Sequence, residues 1–188
     1  MSRAILTARK SFGGLTQVDV RVDADTAVSH RSHGQYVELR HIASADESPS
    51  QGFFALASDP RECGRERTFS LLVKSAGGMA ERLLALPIET PVEVSNAQGA
   101  GFPYAVAAQR PLLLAATGSG VSAVLSAARA RVRDGLGRQT FIAYGVRGTQ
   151  GIALDILLGD LAAAGVSITI CLTDLAQSAL PAGLRYVE

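Results

Sequence analysis

The spacing of apolar residues changes near residue 110, and the two patterns on either side belong to different kinds of sheet. Before that point apolar and polar residues alternate over short stretches at 4–8, 16–22, 34–42, 52–58, 67–74 and 91–95. Period-two alternation puts one face of a strand on a core and the other in water. Gly13-Gly14 reads as a hairpin turn, 46–51 and 59–66 as polar loops, and 78–86, stopped by Pro87, as a helix. Six short strands, one helix and few long connections predict a small closed antiparallel barrel of Greek-key type.

After Arg110 the chain reads strand, helix, strand, helix, strand. Residues 111–116 are continuously apolar, as expected for a parallel strand covered on both faces. An Ala-rich helix is predicted over 121–133, a strand over 139–144, a helix over 152–164 closed by Gly165, and a strand over 166–172. Such crossovers predict a parallel sheet with helices on both faces and a ligand crevice at the carboxyl ends of its strands. The reading is therefore two units: a barrel over 1–108, and an abbreviated α/β nucleotide-binding unit over 109–188. Two units in 188 residues is tight.

Composition excludes several functions. Eighteen Lys/Arg against seventeen Asp/Glu give a net charge of +1, with no broad cationic field for nucleic acid or an anionic membrane. The charge-free stretch 111–128 approaches membrane-spanning length, but Thr117-Gly118-Ser119-Gly120 breaks it, so it reads as strand, turn and helix without membrane insertion. The first ten residues lack the apolar core and cleavage site of a signal peptide, which makes the cytoplasm the expected compartment. Cys63 and Cys171 fit neither a disulfide framework nor a zinc motif and read as reduced, structural thiols. His30, His33 and His41 do not have metal-ligand spacing, and no GxSxG elbow supports a serine hydrolase.

The candidate chemistry sits at turns. Gly118 and Gly120 flank Ser119 where a strand gives way to a helix, so the first N–H groups of that helix would face an anion such as a pyrophosphate. Gly77-Gly78-Met79-Ala80 opens the earlier helix and could cradle a second phosphate in the same way. Arg147, in Tyr144-Gly145-Val146-Arg147, could reach a ribose phosphate or an adenine face.

These segments together resemble the ferredoxin-NADP reductase superfamily. Gly34-Gln35-Tyr36-Val37 is similar to its "PGQYV" strand, and residues 52–58 fall where it has the flavin-binding "RxYSxxS". The helix opening at 77–83 resembles its flavin pyrophosphate site, 99–103 its "GxGxF" loop, and 116–123 its "GGTGIAP" turn. Residues 144–147 resemble its "YGxR". The resemblance implies a flavin-dependent NAD(P)H oxidoreductase or electron-transfer protein. FAD or FMN would be held by Phe54, Ala55, Gly77, Gly78, Met79 and Ala80, and NAD(P)H by Gly118, Ser119, Gly120 and Arg147. Hydride transfer between cofactors requires no protein acid or base, and none is assigned.

The sequence departs from that pattern where flavin would be held. Gly52, Phe54 and Ala55 stand for Arg, Tyr and Ser, Ala80 for a hydroxyl residue, and Ala123 for the proline of the nucleotide turn. A lost charge-assisted bond removes about 1.5–3 kcal/mol and each lost hydroxyl about 1. Roughly 4 kcal/mol is about a thousandfold in Kd, so weak or absent flavin binding is expected. Residues 183–188 resemble "GYVQ", and no "CGxxxM" strand follows, so the expected sheet has fewer strands and an unpaired edge. The alternative reading is a reductase-like binding or assembly subunit without catalysis, partnered by a redox protein or by a second copy of the chain.

Overall fold

The computed structural model describes residues 1–12, 14–41, 49–107, 110–147, 155–172 and 185–187. Six strands form the first sheet: β1 (Ser2–Phe12), β2 (Leu15–Arg21), β3 (Tyr36–His41), β4 (Ser50–Ala55), β5 (Thr68–Val73) and β6 (Pro91–Val94). Their order is β4-β3-β6-β1-β2-β5. A Leu56–Leu71 bridge joins the outer strands and closes the barrel, supported by Ala57 N–H donating to Ser70 O at 2.8 Å. Alternate residues point inward, as the period-two pattern requires: Val18 and Val20, Val37 and Leu39, Phe69 and Leu71, Val92 and Val94 are all buried. Phe12 pairs with Leu15, so two residues connect β1 to β2. Of the expected Gly13-Gly14 turn, residue 13 lies outside the described residues.

The barrel carries more helix than the one expected. α1 (Ala24–Ser29) and α2 (Pro60–Glu66) accompany α3 (Gly78–Ala85), and the short α4 (Tyr104–Ala107) follows β6. The loop predicted over 59–66 is thus corrected to a helix. Asp59 caps it by accepting the Arg61 N–H at 2.8 Å, Pro60 occupies the first turn, and Arg67 ends it in the left-handed region at φ 52°. α3 lays Met79 and Leu83 into the barrel core. Ser50 and Gln51, expected in a loop, belong to β4.

The second sheet contains β7 (Leu112–Thr117), β8 (Thr140–Val146), β9 (Ser167–Leu172) and β10 (Arg185–Val187), ordered β10-β9-β8-β7 and parallel throughout. β10 is a fourth strand beyond the expected three. α5 (Val121–Arg133) follows β7, and α6 (Asp155–Ala163) follows β8. Residues 152–154, expected in that last helix, lie outside the described residues.

The expectation of helices on both faces is overturned among the described residues. α5 and α6 pack against each other on one face, while Leu113 (67% exposed) and its register partner Phe141 (41%) lie open on the other. The reason is geometric. β7, β8 and β9 follow one another in a single direction across the sheet, and successive right-handed crossovers then put their helices on one side.

α5 is the shared element of the molecule. Val121, Val124 and Leu125 pack in one cluster with Ile142 and Ile168 of the parallel sheet and with Phe12, Leu15 and Leu72 of the barrel. Burying each such side chain stabilises by about 1.5–3 kcal/mol. Arg131 is fully buried at the other end of α5, where it donates to Thr140 Oγ1 and to the backbone oxygen of Arg110. No helix among the described residues is long and apolar enough to cross a membrane.

Candidate functional site

The carboxyl ends of β7, β8 and β9 open into a crevice of about 670 Å³. Thr117, Gly118 and Ser119 line it, the last two within a single 3-10 turn (Gly118–Gly120) between β7 and α5. Gly118 adopts φ 51°, and a Cβ at Gly118 or Gly120 would meet no atom within 4 Å, so the backbone is open to an incoming group. Among the described residues no side chain caps this turn or the start of α5. The Val121 N–H donates back to the Gly118 and Ser119 carbonyls, and the N–H groups that follow it in the first turn of α5 retain their capacity to bind an anion.

The turn is held from below. Tyr144, 1% exposed, donates its hydroxyl to Gly118 O at 3.0 Å. Burial pushes its phenol up to about 12, which keeps it a neutral donor. Gly145 stands opposite Thr117, where a Cβ would lie 3.1 Å from Thr117 Cγ2. A side chain at Gly145 would make Thr117 give way by a few tenths of an ångström. Arg147 just after β8, Lys74 just after β5 and Cys171 of β9 all line the crevice. Among the described residues no Asp, Glu or His lines the crevice.

Of the residues expected to hold NAD(P)H, Gly118, Ser119 and Arg147 come together here; Gly120 belongs to the turn but does not line the crevice. Lys74, Tyr144 and Cys171 were not singled out as site residues. Tyr144 belongs to the Tyr144–Arg147 motif and Lys74 ends the 67–74 strand, and a lone lysine at a strand end carries no motif. Cys171 read as a structural thiol, yet its half-buried position is on the crevice wall.

The residues expected to hold flavin form a second group, where α3 packs on β4. Gly77 (φ 78°) and Gly78 (φ 55°) open α3 with free space above both and no side-chain cap, so this backbone fits a pyrophosphate. The side chains fit a flavin less well. A Cβ at Gly52 would lie 3.1 Å from both Met79 Cβ and Phe54 Cε2, so the Phe54 ring is folded back along its strand and half-buried in the barrel core. Met79 is buried and Ala80 packs against the same core. The Ala55 carbonyl accepts the Ser122 hydroxyl at 2.8 Å, and Ser122 Oγ accepts the Leu72 N–H at 3.3 Å. Ser122 thus clamps the start of α5 onto β4 and β5 between the two groups.

The other candidates separate. His30 Nδ1 lies 3.3 Å from Cys63 Sγ in the barrel, and burial lowers His30 to about 4 and raises Cys63 to about 11, so both stay neutral. His33 pairs with Ser126, and His41 with Arg82. No group of three metal-capable side chains occurs among the described residues.

No protein-family model and no curated protein matches this sequence. Solved structures do match its fold. The flavohem-like FAD/NAD binding domain of nitric oxide dioxygenase from Vibrio cholerae superposes with a TM-score of 0.81 at 15% identity, over 100% of this chain and 78% of that one. A ferredoxin NADP+ reductase from Neisseria gonorrhoeae, with bound FAD and NADP, gives 0.71 at 16%, over 98% and 72%. The Amycolatopsis cytochrome P450 reductase GcoB gives 0.70 at 19%, over 98% of this chain and 54% of that one. The chain therefore has the ferredoxin-reductase-like fold, and it spans about half to three quarters of the length of these proteins.

Proposed function

We propose that this chain is the NADPH-binding, electron-transferring module of a flavin-dependent reductase. The crevice carries the reading: a helix start without a side-chain cap beside a glycine turn, lined by Lys74 and Arg147, with no acidic side chain among the described residues of its wall. An acid at the end of the second strand would suit an unmodified ribose, whereas an arginine there suits a 2′-phosphate, so NADPH is preferred to NADH. When bound beside the nicotinamide, a flavin supplies hydride acceptance and release of single electrons. The chain's own residues do the rest. The N–H groups of the 118–120 turn and of the helix start beyond Val121, with the Lys74 ammonium, would hold the pyrophosphate, Arg147 would hold the ribose phosphate, and Tyr144 fixes the turn they depend on. No side chain supplies a proton.

Flavin, as FAD or FMN, would rest chiefly on the Gly77-Gly78 backbone, with Phe54 and Ala55 giving packing but no polar contact. Its affinity is reduced accordingly. A titration of the purified protein with NADPH, NADH, FAD and FMN tests this: NADPH should bind most tightly and flavin only weakly. Absence of nucleotide binding would remove the proposal.

The inward-folded Phe54 and the engaged Ala55 carbonyl favour a second reading, a reductase-like binding or assembly subunit that holds no flavin. The open Leu113–Phe141 face would then meet a redox protein or a second copy of the chain. A monomer by solution mass measurement that retains no partner counts against it, and saturable flavin quenching at micromolar concentration excludes it.

A further inference from the structure

A second cavity, of about 370 Å³, opens at the far end of α5. Three separate stretches build its wall: Arg31 and His33 ahead of β3, Asp59 and Arg61 at the start of α2, and Phe102 in the segment leading to α4, with Arg133 closing it from α5. Its charges do not balance. Asp59 is buried and already engaged, with one oxygen accepting the Arg61 N–H at 2.8 Å and the other paired with Arg133. Burial opposes ionisation of this carboxyl, but the Arg133 guanidinium and the backbone N–H outweigh it and hold it below the usual range.

Neither the Arg31 nor the Arg61 side chain has a carboxylate partner among the described residues. Arg133 is shared between Asp59 and Asp134, the latter 3.5 Å from its Nε, so among the described residues three guanidinium groups meet two carboxylates and the Arg31 and Arg61 charges face the concave wall without a carboxylate of their own.

The rest of the wall is neutral and braced. His33 Nδ1 lies 2.6 Å from Ser126 Oγ, its ring is tilted 4.7 Å from Tyr104, and the Tyr104 hydroxyl donates to Asp134 at 2.9 Å. Phe102, 36% exposed, offers an aromatic surface beside the arginines. We propose that this cavity is a second ligand site, taking a phosphate monoester borne on a flat apolar ring, with Arg31, Arg61 and Arg133 around the phosphate and Phe102 against the ring. A monoester carries about 1.5 to 2 negative charges at neutral pH, which suits the two arginines that have no carboxylate partner among the described residues, and a planar guanidinium group can pair with phosphate through two bonds. The volume falls within the range of small-molecule sites. The thirteen residues of α5 hold this cavity about 18 Å from the nucleotide crevice, at 1.5 Å per residue. The inference stands independently of the nucleotide reading.

The test is a titration of the full chain with phenyl phosphate and with inorganic phosphate, followed by amide NMR shifts and calorimetry. Phenyl phosphate should saturate with shifts at 31–33, 59–61, 102–104 and 133, and bind at least tenfold more tightly than inorganic phosphate. Arg31→Ala and Arg61→Ala each should weaken it at least tenfold with unchanged circular dichroism, since neither side chain bonds to another described residue. Arg147→Ala should leave it unaltered. No saturation in the millimolar range, shifts confined to 117–119 and 147, equal affinity for the two probes, or full affinity in the Arg31/Arg61 double variant would each overturn the proposal.

Discussion

Replacing Arg147 by alanine should change nucleotide choice rather than fold. The side chain is exposed at the end of β8 and takes part in no core cluster, so stability should move by no more than about 0.5 kcal/mol. What is lost is a charge-assisted contact to the 2′-phosphate that distinguishes NADPH from NADH. Such bonds contribute about 1.5–3 kcal/mol, which corresponds to a rise of roughly 10- to 150-fold in Kd for NADPH. NADH has no 2′-phosphate and should bind the variant within about threefold of the wild type. Because the chain contains no tryptophan, energy transfer from the protein is a poor reporter, and calorimetric titration with both nucleotides is the suitable assay. Lys74 and the helix N–H groups remain in the variant, so some NADPH binding should survive. An equal loss for both nucleotides would show that Arg147 holds the shared pyrophosphate, and no loss would show that the nucleotide lies elsewhere.

Ser122→Ala leaves the Ala55 carbonyl and the Leu72 N–H without their shared partner, which should cost about 2 kcal/mol and lower Tm by roughly 4–8 °C in a calorimetric scan. His30, whose folded pKa is about 4 against an ordinary 6.5, is protonated more readily in the unfolded chain. Its stability contribution is therefore full above pH 6.5 and lost as pH falls towards 4, amounting to about 2 kcal/mol between pH 7 and pH 5 in urea unfolding; His30→Gln should flatten that slope. Iodoacetamide should label Cys171 in the native protein and be slowed by NADPH, whereas Cys63, fully buried with its thiol pushed up to about 11, should react only on unfolding. Labelling of Cys63 first would contradict the placement of both thiols.

The barrel strands were legible because their alternation is a local signal that burial reproduces residue by residue. α5 was legible over its whole length for a similar reason: a glycine turn, then thirteen residues with strong helix formers and arginines in the last turn. α1 and α2 were not, although Asp23 and Asp59 both cap helices, because six or seven residues are too few for an apolar period to emerge. The Asp59-Pro60 pair was the available signal. The single covered face of the parallel sheet depends on strand order, which no local pattern encodes. The crevice turn could be read from Gly118 and Gly120, but Lys74 reaches it from another sheet, and the His33–Ser126 contact joins positions 93 residues apart. The packing of Phe54 onto Gly52 was likewise beyond the motif, which marked the missing arginine but not the ring that occupies the space.

The most direct test is where NADPH binds the flavin-free protein. Titrating isotope-labelled chain with NADPH should produce saturable amide shifts at Lys74, at 117–121 and at 144–147, with Kd in the micromolar range and weaker binding of NADH. Saturation with shifts elsewhere, or no saturation at millimolar NADPH, would contradict it.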